Sequence, residues 1–135
     1  MKATGIVRRI DDLGRVVIPR EIRKTLRIKE GDPMEIFTTK EGELVFKKYT
    51  YCDEKDWSKA KEIVKVLTDV PFALYDNYGE LKEMSRNNMP TYCDNADNAI
   101  RIDDDIIGYI YFDGDILIED SNRIKEVLKK LFSEN

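Results

Sequence analysis

Histidine is absent from all 135 residues. That excludes Ser-His-Asp and Cys-His nucleophile systems and every imidazole-ligated metal site. Cysteine is scarce too. Cys52 and Cys93 stand far apart without metal-type spacing, so neither a disulfide framework nor a thiolate metal site is expected, only inert or weakly redox-active thiols. The seven glycines form neither GxGxxG nor GxxxxGK, so no loop is built to cradle a nucleotide phosphate. No apolar run approaches the ~20 residues that cross a bilayer, and no signal-peptide pattern opens the chain. A cytoplasmic protein without membrane contact is therefore expected. Acids are abundant around Asp94, Asp97 and 103–105, but Ala96 and Ala99 occupy a ligand position and the glycine position of a calcium loop, so a solvated loop is the reading. Paired carboxylates occur, but none in a catalytic motif. No enzymatic activity, cofactor or metal is expected.

What is present is charge, 37% of residues, unevenly shared. Residues 1–49 carry twelve Lys+Arg against eight Asp+Glu, a net of +4, and the first 29 alone carry nine against three, a net of +6. Residues 50–135 hold eleven bases and nineteen acids, a net of −8. A basic module ahead of an acidic one suggests that the first meets a polyanion and the second does not.

The first module reads as four short strands and one short helix. Residues 4–10 and 15–18 have strand character, joined by a turn at Asp11-Asp12-Leu13-Gly14, where Gly14 can take a positive φ. Pro19 ends the second strand and opens a helix over 20–26, with Ile22 and Leu26 on one stripe. Residues 34–39 and 43–48 form a hairpin around Lys40-Glu41-Gly42. Fewer than 50 residues with no staple bury too little for comfortable stability alone, so a dimer is expected. Residues 51–55 read as a linker. A helix over 56–68 follows, with Ala60, Ile63, Val64 and Leu67 inward and Asp56 or Ser58 as cap. Strands are expected at 71–76, 98–103 and 105–112, the last central, and 81–93 has no period. A final helix is capped by Asp120 or Ser121; its stripe of Ile124, Val127, Leu128 and Leu131 is suited to pairing with a second copy.

The run KATGIVRRIDDLGRVVIP over 2–19, continued by EIRKTL, EGD, EI at 35–36 and KKY at 47–49, resembles the N-terminal DNA-binding domain of the AbrB/SpoVT transition-state regulators. Within that family the run and RIKEGDP are most similar to the sporulation (SpoVT) branch. The resemblance implies an α+β chain: an AbrB-like swapped-hairpin β-barrel dimer over 1–50, a linker at 51–55, and a small α/β domain, a reduced GAF-like one, over 56–135. It implies that two chains interleave their hairpins and present arginines to double-stranded DNA. Arg8, Arg15, Arg23 and Lys24 match the family's contact positions. Lys24 stands where a second arginine is common, keeping the charge but losing the planar fork. Lys2 and Arg9 join the candidate set, but like Arg20 and Arg27 they are expected rather to add general field or to pair with Asp11, Asp12 and Glu21.

The second half is similar to a GAF-like domain only at its first helix, at 105–112 and at its closing helix, so it is expected to oligomerise the chain or to sense a signal. The reading is a bacterial transcription regulator acting as a homodimer, or as a tetramer of two such dimers. Two alternatives are a MazE-like antitoxin, whose family shares the swapped-hairpin module, and a ligand-binding signalling module.

Overall fold

The computed structural model describes residues 3–133. It is α+β, and it separates into two compact units, one running to Asp32 and the other starting at Pro33. Each is described by itself.

In the first unit the chain has no regular secondary structure over 3–10, turns at 11–14 and enters helix α1 (Arg20–Leu26). The helix occupies the expected span. Pro19 contributes no side-chain cap, but its carbonyl accepts from Ile22 N and Arg23 N at 3.1 and 3.0 Å. The strands expected at 4–10 and 15–18 are not strands within this chain. Extended backbone becomes sheet only beside a neighbour that supplies donors and acceptors, and here the turn contributes only Asp11 N to Arg15 O, 3.0 Å, and Gly14 N to Asp11 O, 3.1 Å.

The second unit opens with the expected hairpin, β1 (Met34–Thr38) against β2 (Leu44–Lys48), in a register that pairs Met34 with Lys48. Its turn closes through Thr39 N to Glu43 O, and Gly42 supplies φ 85°. Next comes α2 (Glu54–Leu67). Residues 51–55 are no loose linker: Cys52 is buried in the core, Tyr51 packs against it, and α2 has begun by Glu54. The helix cap is Asp53, one turn earlier than Asp56 or Ser58. Asp53 accepts from Asp56 N and Asp56 accepts from Asp53 N, each at 2.9 Å, a reciprocal box that satisfies two end donors. The inward stripe begins at Trp57 and continues through Ala60 and Val64, with Ile63 half-buried and Leu67, at the end of the helix, exposed.

Four strands make an antiparallel sheet in the order β4-β3-β6-β5: β3 (Phe72–Asp76), β4 (Leu81–Met84), β5 (Ala99–Ile102) and β6 (Asp105–Phe112). β6 is central, as its apolar run implied. β4 lies in the stretch that showed no period, because its four residues are half-buried or exposed and one is an extra residue. Lys82 falls between the Leu74–Glu83 and Tyr75–Leu81 pairs, which breaks alternation. A similar irregularity leaves Ile107 extra between the Ile100–Gly108 and Arg101–Ile106 pairs.

α2 and α3 (Ile118–Ser133) cover one sheet face with Trp57, Ala60, Val64, Ile124, Leu128 and Phe132 against Phe72, Leu74, Ile100 and Ile110. On the other face, Ala73, Tyr75 and Tyr109 pack with Met89, Ala99 and Cys93. Ile124 and Leu128, expected to pair with a second copy, are spent on this core, because α3 must cover a sheet only four strands wide. Among the described residues no helix is long and apolar enough to cross a membrane.

Trp57 approaches β6 closely only because residue 108 lacks a side chain. A Cβ on Gly108 would stand 2.5 Å from Trp57 Cη2 and 2.5 Å from the Tyr75 carbonyl. One obstacle is backbone, so it cannot swing aside. Gly108→Ala is expected to cost about 1–3 kcal/mol, the usual range for overpacking. It should appear as a lower urea midpoint at unchanged slope; an unchanged midpoint would refute the close approach.

Candidate nucleic-acid interface

The cationic residues of the first unit fall into two groups, each held by local backbone chemistry. Asp11 organises the first. Its Oδ1 accepts from Arg15 N at 2.8 Å and Leu13 N at 3.0 Å, while Oδ2 accepts from Arg15 Nε at 2.8 Å. One carboxylate thus fixes both the turn and the Arg15 side chain, which stays 69% exposed. The pair is solvent-screened, so its value is direction rather than energy. An arginine fork has further N–H groups to present beyond Nε. Arg8 is exposed, with Nη1 donating to Val7 O at 3.2 Å, and Arg9 is exposed beside it. Lys2 lies outside the described residues.

The second group belongs to α1 and its exit. Arg20, Arg23, Lys24, Arg27 and Lys29, with Ile28, line one open hollow. Arg23 is oriented by Nε donating to Ile18 O at 3.1 Å. The helix ends at Arg27, which adopts φ 58° and ψ 42°. Arg27 N donates to Lys24 O at 3.3 Å and Ile28 N to Arg23 O at 2.8 Å, the paired closure in which glycine is the usual left-handed residue.

The structure therefore brings Arg23 and Lys24 together, and adds to them Arg20 and Arg27, expected as lesser contributors, and Lys29, which sequence reasoning did not assign. The spacing held the signal: 20, 23/24 and 27 recur at i, i+3/i+4, i+7, one face of a helix. Arg8, Arg9 and Arg15 do not line that hollow. Five cations and no carboxylate around one hollow make a surface for a polyanion.

Among the described residues no group of three His, Cys, Asp or Glu is placed to hold a metal ion. Both cysteines are free. Burial, with the Asp56 and Asp53 charges adding, pushes the Cys52 thiol up to about 12, so it stays protonated and unreactive at neutral pH.

The Arg15 backbone N–H is the main reason that the Asp11 carboxyl is held below its ordinary value; desolvation opposes it, and the Arg15 side chain and the Leu13 N–H add lesser lowering effects. A lowered carboxylate pKa means that the turn's support is fully present above the ordinary value and is lost as pH falls through the lowered one. Carboxyl NMR titration should therefore place the Asp11 midpoint below the ~3.9 of an unpaired aspartate. Arg15→Ala should raise it partway, since the backbone donors remain. An ordinary Asp11 midpoint in the unsubstituted chain would contradict the clamp.

Known proteins are similar to this chain mainly over the same region. The family described as "Antidote-toxin recognition MazE, bacterial antitoxin" matches residues 7–51. Stage V sporulation protein T of Bacillus subtilis (strain 168) is 58% identical over 79 residues, 58% of this chain and 40% of that protein. That match is longer than the first 50 residues and so runs into the second half. The transition state regulatory protein AbrB of the same organism is 57% identical over 49 residues, 36% of this chain and 50% of that one. The chain thus spans half or less of these two relatives. A solution structure of the N-domain of the transcription factor AbrB is 56% identical, with 37% of this chain and 94% of that chain covered, at a TM-score of 0.34. Identity at this level over nearly all of that domain, rather than the superposition, carries the assignment. By its N-terminal fifty residues, the chain belongs to the AbrB/SpoVT-type family.

Proposed function

We propose that the protein is a bacterial, cytoplasmic transcription regulator that binds double-stranded DNA as a homodimer through its N-terminal cations. The observation that carries this reading is the Asp11-held, outward Arg15 on a unit whose helix and helix exit line one hollow with five more cations and no carboxylate. AbrB, 57% identical over the same segment, is a protein whose N-terminal domain is described as a DNA recognition domain. In this reading Arg8, Arg15, Arg23 and Lys24 contact the duplex, with Arg9 and Lys2 beside them. Each fixed cation displaces condensed counterions from phosphate, and an arginine fork can also read a guanine edge.

The dimer is supported by what the first unit leaves uncovered. Val7 is 85% exposed, Ile10 71%, and Leu13 and Val17 70% each. Strand-like sequence that forms no ladder within this chain, beside such side chains, is suited to a second copy, which would supply the ladder and bury them. Residues 1–50 would then be the intertwined DNA-binding domain, and the half from 56 an assembly or signal-sensing element, giving a dimer or a tetramer of dimers. With Ile124 and Leu128 buried, any apolar assembly contact would use exposed side chains such as Val66, Leu117 and Ile118.

One observation favours the antitoxin reading, the family match over 7–51. Against it, the second half folds as a four-stranded sheet with two helices rather than as a short tail that wraps a toxin. Stoichiometric co-purification with a toxin would support the antitoxin.

Arg15→Ala should weaken binding to a duplex selected from a random pool by tenfold or more, without loss of the dimer by light scattering. Unchanged affinity at physiological salt would remove Arg15 from the interface. For the unsubstituted dimer, three or four cations per chain at about −0.9 per phosphate give a slope of roughly −5 to −7 in log K against log salt. A slope shallower than about −2 would mean that this basic surface is not the contact.

A further inference from the structure

Trp57 is 2% exposed, and its indole Nε1 has no hydrogen-bond acceptor among the described residues. A buried donor left unpaired costs stability, and nearly all such groups in folded proteins find a partner. Trp57 is also one wall of a hollow of about 320 Å³ between the first turns of α2 and strand β4, lined by Glu54, Trp57, Ser58, Leu81, Lys82 and Glu83. That volume is at the lower end of the ~300–1,000 Å³ that small-molecule sites occupy. Three of the lining residues, Leu81, Lys82 and Glu83, are successive, whereas a regular strand turns neighbours to opposite faces. The extra residue at Lys82 breaks that alternation, and bulges of this kind re-aim side chains beside binding sites.

Both signs of charge line the hollow. Glu83 is already engaged, since Ser58 Oγ donates to its Oε1 at 3.3 Å and Lys61 Nζ lies 3.8 Å from its Oε2. Glu54 is exposed in the first turn of α2 and offers a carboxylate to a cation. Lys82 Nζ stands 3.6 Å from Asp76 Oδ2 with its side chain 35% exposed, and an ammonium has three donors to share. A ligand with a carboxylate alone would face two glutamates. One with an ammonium alone would meet Lys82 and leave the indole N–H unmatched.

We propose that this hollow binds a small zwitterion, a free α-amino acid, whose carboxylate takes Lys82 and the Trp57 N–H and whose ammonium takes Glu54. Leu81 and the indole ring give the ligand's side chain an apolar contact. The proposal rests on the signal-sensing reading of the second half, to which it gives a site and a ligand class, and it is independent of the DNA-binding reading.

Trp57 is the only tryptophan in the sequence, so a single indole N–H resonance reports on the site. The full chain, labelled with nitrogen-15, is titrated with each of the standard L-amino acids, and its thermal midpoint is followed alongside. At about 100 times its Kd, a ligand confined to the folded state raises the midpoint by a few degrees. The expected result is that at least one amino acid moves the indole resonance and raises the midpoint. Its N-acetyl and C-amide forms, each lacking one charge, should bind at least about tenfold more weakly. Glu54→Gln and Lys82→Gln should each weaken binding about fivefold or more. Lys82→Gln also takes a partner from Asp76, so Glu54→Gln, at an exposed helix start, decides the matter if the first variant unfolds. Unchanged affinity in Glu54→Gln, or an amide or acetyl form that binds as well as the free amino acid, would overturn the proposal. A raised midpoint with an unmoved indole resonance would put binding elsewhere, so that this site fails and the signal-sensing reading stands. If no amino acid changes either observable, the site and the amino-acid form of sensing fall together.

Discussion

The second unit depends on one buried carboxylate, at the end of β3. Asp76 Oδ1 accepts from Tyr78 N at 2.8 Å and Glu80 N at 3.1 Å, and Lys82 Nζ stands 3.6 Å from Oδ2. These bonds shape the β3–β4 turn, and the turn in turn seats the hairpin. Tyr78 donates its hydroxyl to Pro33 O, and Asn77 Nδ2 donates to Tyr49 O at 3.0 Å, so both ends of the hairpin are held. Lys48 adds Nζ to Glu80 Oε1 at 3.0 Å and lies 4.4 Å over the Tyr78 ring. Gly79 is required here, because a Cβ would meet the Cys93 carbonyl at 2.6 Å. A polar network this enclosed holds one geometry because each donor left unpaired would cost far more than each bond gains. It also explains why the hairpin, expected to belong with the basic module, clusters within this chain with the second half.

Legibility in the sequence followed the range of the forces involved. Helix α1, the β1–β2 hairpin and β6 were readable to within a residue or so, because proline, glycine turns and dense β-branched runs act locally. The boundary of α2 was misplaced because Asp53 and Asp56 cap each other, and either acid alone would have served. β4 was illegible because its bulge at Lys82 destroys the period on which strand recognition rests. The face of α3 was read correctly as apolar and wrongly as outward, since periodicity reports which side is buried and not against what. In the basic unit, turn chemistry located the turn at 11–14, while Arg15 entered as a candidate through the family resemblance. The helix-face gathering of Arg20 and Arg27 was present in the spacing but outweighed by assigning them to salt bridges that Asp11 makes with Arg15 instead.

The two halves are stable for different reasons. From α2 onward the chain buries Trp57, Tyr75, Phe72, Leu74, Ile110 and Leu128 almost completely, and an apolar area of that kind sustains a small fold on its own. In the unit ending at Asp32, helix α1 has no buried residue. The order among its described residues comes from hydrogen bonds to two aspartates, Asp11 and Asp32, a proline at a helix start and a helix closure, each of the size that shapes local conformation without stabilising a domain.

Such a division has a consequence for how function and folding are coupled under the DNA-binding reading. A basic segment that buries little by itself gains its shape from what it associates with, a second copy through its apolar face and a polyanion through its cations. Binding free energy then contributes to ordering as well as to affinity, so measured affinity understates the strength of the contacts. The second half opposes any misdirected approach, since its net of −8 repels the same polyanion that the first 29 residues, at +6, attract. The repulsion is screened within about 8 Å at physiological salt, so it acts on orientation at close range and not on long-range capture. Specificity in such an arrangement depends on how rigidly the arginines are aimed. That aim rests on Asp11, whose single carboxylate holds both the turn and the arginine that the turn presents.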